Sequence, residues 1–277
     1  MVGRLRVARL ELKALIFDVD GTLADTERWG HRVAFNAAFA AAGLNWMWDE
    51  TRYGELLVVA GGKERIDYFL NQIEQPPVIP SERKSFVAQL HAAKTRYFRQ
   101  LLKTGQIPLR RGVERLLREA REEGLRLAVA TTTSGANVTA LLDTASTEPL
   151  SAWFEVIAAG DQVLDKKPAP DIYCLAMEAL GVLPEECVVF EDSQIGLRAA
   201  QAAGIEASVI TVNEYTKHED FTGASLVVDH LGDSELPCHP ITGETWGHQW
   251  VDVALLRQLH RDIPTRSDNP WLSNQEG

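Results

Sequence analysis

Cysteine is scarce in this sequence. Its 277 residues hold three, Cys174, Cys187 and Cys238, with no paired spacing. That excludes a disulfide framework, and the thiols read as reduced, as expected in a cytoplasmic protein. Long apolar runs are missing too: none approaches the ~18 residues of a membrane span, so no membrane partner is expected. A basic excess is also absent. Lysine and arginine number 28 against 39 acidic residues, a formal charge of −11. This argues against a nucleic-acid partner, because gripping a phosphate backbone needs a basic face. Residues 1–11 carry arginines without the apolar stretch of a signal peptide and read as a short extension. Asn137-Val138-Thr139 matches a glycosylation sequon, a use that needs secretion and finds no support here. What is present is ordinary for a globular protein, with 45% hydrophobic and 24% charged residues. The length suffices for one good-sized core plus a smaller domain.

The informative segment is Leu15-Ile16-Phe17-Asp18-Val19-Asp20-Gly21-Thr22-Leu23. An apolar stretch too short for a helix delivers two aspartates two residues apart, then a turn. As a buried parallel strand it holds Asp18 and Asp20 at its C-terminal end, on one side of the chain. Ligands bind at that edge of open α/β sheets. Two adjacent carboxylates there repel and call for a hard cation such as Mg2+. A calcium loop fails on spacing, since its sixth position is Leu23 rather than glycine and its twelfth is Trp29 rather than glutamate.

Three further segments point to the same edge. The apolar run 125–130 ends in Thr131-Thr132-Thr133 before a helix from Gly135, and hydroxyls with free N–H groups at a helix start suit an oxyanion. Asp165-Lys166-Lys167-Pro168-Ala169-Pro170 sets lysines among prolines before a helix over 171–180. Cys187-Val188-Val189-Phe190 ends in Glu191-Asp192-Ser193, acids again at a strand end.

Asp18-Val19-Asp20-Gly21-Thr22, Thr131, Lys167-Pro168 and Glu191-Asp192 resemble, in order and spacing, the four motifs of the haloacid dehalogenase superfamily of phosphatases and phosphomutases, over roughly residues 12–230. Gly61-Gly62-Lys63-Glu64-Arg65-Ile66, Ala130-Thr131-Thr132-Thr133 and Lys167-Pro168-Ala169-Pro170-Asp171-Ile172-Tyr173 resemble the CbbY-type sugar phosphatases more closely. The implied enzyme is a Mg2+-dependent phosphatase of small anionic sugar phosphates, with xylulose 1,5-bisphosphate as the substrate. A phosphomutase of the β-phosphoglucomutase type is the nearest alternative. An inactive binding module on the same fold would lack Asp18, Asp20 or Lys167, and all three are present.

The resemblance also implies roles. Asp18 becomes the nucleophile that carries an aspartyl-phosphate, and Asp20 the acid that protonates the leaving oxygen and then activates water. Asp18, Asp192 and the Asp20 backbone carbonyl become metal ligands, with Glu191 behind them or joined through water. Thr131, the Thr132 N–H and Lys167 hold the transferring phosphoryl group; Lys166 is the alternative to Lys167. Ser193 reads as a helix cap and Asn137 as a helix-start residue. In the inserted segment Lys63 and Arg65 offer cations for a second phosphate, Glu27 reaches sugar hydroxyls, and Lys94 resembles a lysine that closes over the site. His31 resembles a hinge histidine, although residues 26–35 are one residue longer than in the relatives. Arg111 stands where relatives carry proline.

The pattern predicts an α/β fold: a doubly wound, Rossmann-like parallel sheet formed by residues 1–27 and 106–277, with an all-helical cap inserted over 28–105. Helices are expected over 32–43 and 81–104, the latter capped by Ser81 and stopped at Gly105. Its core face should comprise Phe86, Leu90, Ala93, Tyr97 and Leu101. After 105, helix and strand alternate: helices over 113–123, 136–144, 171–180 and 193–203, strands over 125–130, 155–159, 187–190, 207–211 and 226–228. Residues 231–249 read as a loop, 250–260 as a helix and 265–277 as a frayed end. His230, Cys238, His239 and His248 match no zinc spacing and read as loop residues. A monomer or weak oligomer is expected.

Overall fold

The structure, a computed structural model, describes residues 10–59, 61–79 and 81–263. The expected 265–277 end lies outside them. The first strand, β1 (Ala14–Phe17), is wholly buried and pairs in parallel on both sides, which is why it reads as an unbroken apolar run. Its neighbours are β2 (Arg126–Ala130) and β4 (Cys187–Glu191); Phe17 is level with Val129 on one side and Phe190 on the other. Outside β2 lies β3 (Val156–Ala158), and outside β4 lie β5 (Ser208–Thr211) and β6 (Leu226–Val228). The order β3-β2-β1-β4-β5-β6-β7 reverses direction at β1, so the switch point of the winding falls at Asp18.

The last strand, β7 (Pro240–Thr242), corrects the loop expected over 231–249. It pairs antiparallel with β6, and all three of its residues are exposed. A fully solvated edge strand has no buried face to impose alternation, so its sequence looks like a loop. The terminal helix α9 (Val253–Asp262) starts three residues later than expected, where the Asp252 carboxylate accepts from Leu255 N–H.

Between β1 and β2 the chain is helical. A single π-helical turn, Glu27–His31, leads into α1 (Arg32–Ala41). A π turn takes up one residue more than an α-helical turn. Then follow α2 (Glu50–Leu56), α3 (Gly62–Leu70) and α4 (Arg83–Lys103). Phe35, Phe39, Trp48, Tyr53, Leu56, Ile66, Leu70, Val87 and Leu90 give these helices a hydrophobic cluster of their own. The expected Ser81 cap is not observed: α4 begins at Arg83, and Glu82 precedes it without a side-chain cap. The buried stripe of α4 is Val87, Leu90, Lys94, Phe98 and Leu102, one residue round from the expected face. It passes through a lysine, which apolar periodicity alone would place outside.

The remaining helices cover the sheet. They are α5 (Val113–Glu122), α6 (Gly135–Thr144), α7 (Asp171–Leu180) and α8 (Gln194–Ala202). No helix among the described residues is long and apolar enough to cross a membrane.

Candidate active site

Three strands end side by side, and the next residue of each is polar. Asp18 follows β1, Thr131 follows β2 and Asp192 follows β4. The ladder fixes them: Asp18 N–H donates to Phe190 O at 3.0 Å, and Thr131 N–H to Ala158 O at 3.1 Å. One carboxylate oxygen each from Asp18, Glu191 and Asp192 lie within 4.8 Å of one another. Gly21 has a φ of +86°, and a Cβ there would stand 2.1 Å from Asp192 Oδ2. A side chain at 21 is therefore barred both by its backbone and by the carboxylate it would strike.

Lys167 Nζ reaches in from the loop before α7 and donates to Asp18 Oδ1 at 2.7 Å, Glu191 Oε1 at 2.6 Å and Ala130 O at 2.9 Å. The peptide bond between Lys167 and Pro168 is cis. Lys166 points elsewhere, to Val163 O at 3.2 Å on the surface. Tyr173, in the first turn of α7, gives its hydroxyl hydrogen to Glu191 Oε1. The side chain of Glu191 is thus held by an ammonium and a phenol.

Three carboxylates around one ammonium leave excess negative charge in a buried place. Burial, then the neighbouring Glu191 and Asp20 charges, push the Asp18 pKa up to about 7 against the pull of Lys167. Asp192 is raised as well, by burial and by Asp18 and Glu191. Burial works against the Lys167 charge, but the two carboxylates outweigh it and raise its pKa. Three carboxylates that offer only oxygen donors fit a hard divalent cation.

Asp20 faces the other way. Its Oδ1 accepts from the Thr26 hydroxyl at 2.5 Å and its Oδ2 from the Thr133 hydroxyl. Thr133 N–H donates to Thr131 Oγ at 3.2 Å, and Thr131 is buried while Thr132 is exposed. The turn lies against Gly160, where a Cβ would stand 2.1 Å from Thr132 O. Ser193 caps α8 through Gly196 N–H at 3.2 Å.

The helical insertion brings a second polar group near Asp20. Lys94 Nζ donates to His31 Nδ1 at 2.7 Å and lies 5.0 Å from the ring centres of Phe35 and Phe98. His31 stacks on Phe98 with centroids 4.0 Å apart. Burial, then Lys94, lowers the His31 pKa to about 3, so the ring is neutral. Burial also brings Lys94 down to about 8. Glu27 Oε2 accepts from the Tyr53 hydroxyl at 2.5 Å, and that hydroxyl accepts from Arg65 Nη1 at 2.9 Å. Arg65 is buried and also donates from Nε to Leu56 O and from Nη2 to Val59 O, each at 3.3 Å. Lys63 is exposed and lines a groove of about 770 Å3 between α3 and α4, apart from the carboxylates.

Sequence reasoning missed Tyr53, Tyr173, Arg110 and Asn213. Asn213 Nδ2 donates to Asp192 Oδ2 at 2.7 Å from the loop after β5. Its only signal was its place at a strand's C-terminal end. Tyr173 lies within the Lys167–Tyr173 motif, but an aromatic residue near a helix start carries no local sign that its hydroxyl reaches Glu191. Cys238 is buried, and His248 Nδ1 lies 2.9 Å from Asp252 Oδ2.

Residues 12–204 match the family model described as haloacid dehalogenase-like hydrolase. The chain is 45% identical over 251 residues to Protein CbbY, plasmid, of Cupriavidus necator, covering 90% of this chain and 97% of that one. It is 49% identical to Protein CbbY of Rhodobacter capsulatus, covering 80% of this chain and 95% of the relative. Among solved structures it is similar to CbbY from Rhodobacter sphaeroides in complex with phosphate, with a TM-score of 0.65 and 49% identity over 79% of this chain and 94% of that one. A mutant of that protein in complex with Xylulose-(1,5)bisphosphate matches with a TM-score of 0.65 and 48% identity, covering 80% of this chain and 96% of that one. The chain belongs to the haloacid dehalogenase-like hydrolase family, among its phosphoric monoester hydrolases and close to the CbbY proteins.

Proposed function

We propose that this protein is a Mg2+-dependent sugar-phosphate phosphatase that works through an aspartyl-phosphate on Asp18, with xylulose 1,5-bisphosphate as its substrate. One observation carries the reading: the buried Asp18 carboxylate sits 2.7 Å from Lys167, beside two further carboxylates and next to a hydroxyl-lined turn. A phosphate ester repels an incoming carboxylate, so the reaction needs fixed positive charge at the phosphoryl oxygens. Lys167 supplies it, with the Thr131 hydroxyl and the Thr132 N–H as further donors. Asp18, Asp192 and the Asp20 carbonyl would hold the Mg2+, with Glu191 behind them, and the ion would screen the phosphate from the carboxylates.

An Asp18 carboxylate oxygen attacks phosphorus, and the bond from phosphorus to the sugar oxygen breaks. The departing oxygen takes a proton from Asp20. Water then gives a proton back to Asp20 and attacks the phosphorus; inorganic phosphate leaves and Asp18 is restored. The Thr26 and Thr133 hydroxyls aim the Asp20 carboxyl, and Thr133 ties it to the turn that receives the phosphate.

The sugar bisphosphate is supported by the CbbY relatives and by the bisphosphate complex of one of them. Residues 28–105 would form the cap, with Lys63, Arg65, Lys94, Glu27 and His31 toward the substrate. Three free cysteines support a cytoplasmic setting. Phosphate release measured over a panel of sugar bisphosphates and monophosphates tests this. Fastest release from xylulose 1,5-bisphosphate, lost on chelation and restored by Mg2+, is expected. Conversion of β-glucose 1-phosphate to glucose 6-phosphate faster than phosphate release would instead make it a mutase.

A further inference from the structure

Arg110 belongs to none of the catalytic motifs, yet its side chain lies behind them. Its guanidinium lies within hydrogen-bonding distance of five oxygens, all neutral, with the two Nη1 hydrogens shared among three of them. Nη1 serves the carbonyls of Gly21 and Thr211, the latter at 2.6 Å, and the Thr211 hydroxyl at 3.0 Å. Nη2 serves Val212 O at 2.5 Å and Asp229 O at 2.7 Å. The acceptors come from three segments: the turn that carries Asp20, the end of β5, and the residue that follows β6.

A clamp on carbonyls needs donors but not a charge. Placing a guanidinium among neutral acceptors carries a desolvation cost that no ion pair offsets directly. The reason for a charge here lies across Gly21. The carbonyl of Gly21 is held by Arg110, and its Cα backs onto Asp192 Oδ2. On the open side Lys167 pairs with Asp18 and Glu191, while Asp192 accepts from the neutral Asn213 amide. Asp192 is therefore the carboxylate of the three that the ammonium does not serve.

We propose that Arg110 is a positioning residue, the fixed counter-cation of Asp192, which keeps the three carboxylates assembled before a metal ion arrives while it pins the catalytic turn. Asp192, Asp25 and Asp229 are the acidic groups whose charge acts on it, which agrees with this placement. The proposal rests on the acidic cluster being a cation site, but its test uses neither metal nor turnover and can fail separately.

The test is a double-mutant cycle on thermal stability in the presence of a chelator. Arg110→Gln keeps amide hydrogens for the carbonyls and removes the charge; Arg110→Lys keeps the charge and loses the planar fork. Each is made in the parent and in Asp192→Asn. Counter-charge predicts that Arg110→Gln lowers Tm more in the parent than in Asp192→Asn, by about 2–4 °C or more for a chain of this length. Arg110→Lys should lose less of that coupling than Arg110→Gln. Equal losses from Arg110→Gln in both backgrounds, within about 1 °C, would reduce Arg110 to a carbonyl clamp and overturn the proposal. If Arg110→Gln does not fold in the parent, its folding in Asp192→Asn supports the proposal, and failure in both, with Arg110→Lys showing no coupling, overturns it.

Discussion

Asp18, Thr131 and Asp192 each stand one residue past a strand, and the sheet register sets them side by side before any side chain makes a contact. Lys94, His31, Glu27, Tyr53 and Arg65 reach their places by the opposite route. They sit on helices, and what orients them is one another: Lys94 on His31, Tyr53 on Glu27, Arg65 on Tyr53. The sheet edge is thus a backbone-built site and the cap a side-chain-built one. Single substitutions at the edge should remove chemistry and leave the fold standing. In the cap they should disturb selectivity and local stability together.

The largest effect should come from Asp18→Asn. The amide is isosteric and a poor nucleophile, and no neighbour can replace the lost oxygen. We expect turnover to fall by at least roughly 1,000-fold, about 4 kcal/mol of barrier, with the fold retained by circular dichroism. Residual activity within about tenfold of the parent, only 1.4 kcal/mol, would end the covalent mechanism.

The second prediction separates two cap cations that look alike in sequence. Lys63 is exposed, whereas Arg65 is buried and each of its three guanidinium nitrogens already donates within the cap, to Leu56, Tyr53 and Val59. If Lys63 binds the distal phosphate, Lys63→Met loses a charge-assisted bond of about 1.5–3 kcal/mol, a fall of roughly 10- to 150-fold in kcat/KM on the bisphosphate. A monophosphate should be hydrolysed almost unchanged. Arg65→Met should affect both substrates and lower Tm, because it leaves the Tyr53 and Glu27 pair unsupported. Equal losses on both substrates from Lys63→Met would remove it from the binding site.

This division also marks how far the sequence could be read. The strand ends were legible because an apolar run followed by an acid or a threonine is local information, and the parallel sheet turns that spacing into proximity. The doubly wound order followed from the strand and helix alternation. Lys94 was legible as a residue through resemblance, but its burial was not: it occupies the stripe of α4 that periodicity reserves for apolar residues. Arg110 gave no signal and Asn213 only its place near a strand's C-terminal end, because their partners are backbone carbonyls and a carboxylate from distant segments. The edge strand β7 escaped because nothing on either face of it is buried.

A third, smaller effect tests the buried lysine. Its pKa in the fold, about 8, lies below the ordinary 10.5. Between these values the unfolded chain holds a proton that the folded protein has released, so stability rises with pH across that window. Relative to Lys94→Met, the parent should gain up to about 1.4 kcal/mol per pH unit from roughly pH 8 to 10, measured by urea unfolding. Parallel pH curves for the two proteins would mean that Lys94 keeps an ordinary pKa and that burial in the cap does not penalise its charge.

The smallest effect lies where the two regions meet. Tyr215, in the loop after β5, packs its ring edge-on against Tyr53 with centroids 5.9 Å apart, over Gly54, where a Cβ would come within 3.2 Å of the ring. Its hydroxyl is buried and makes no hydrogen bond among the described residues, and burial first of all pushes its pKa up to about 12. This contact between Tyr215 and Tyr53 is then an apolar one, and the oxygen is a cost. Burying a hydroxyl without a partner costs about 1–3 kcal/mol, so Tyr215→Phe should keep the packing and raise stability by about 1 kcal/mol, or roughly 2–4 °C in Tm. Asp25 Oδ1 and Arg28 Nε are also buried and without a hydrogen-bond partner among the described residues. A fall in Tm on Tyr215→Phe would therefore show that the hydroxyl bonds into this polar hinge through solvent. The meeting point would then be built, like the Lys94–His31 and Glu27–Tyr53–Arg65 groups of the cap, from polar side chains holding one another.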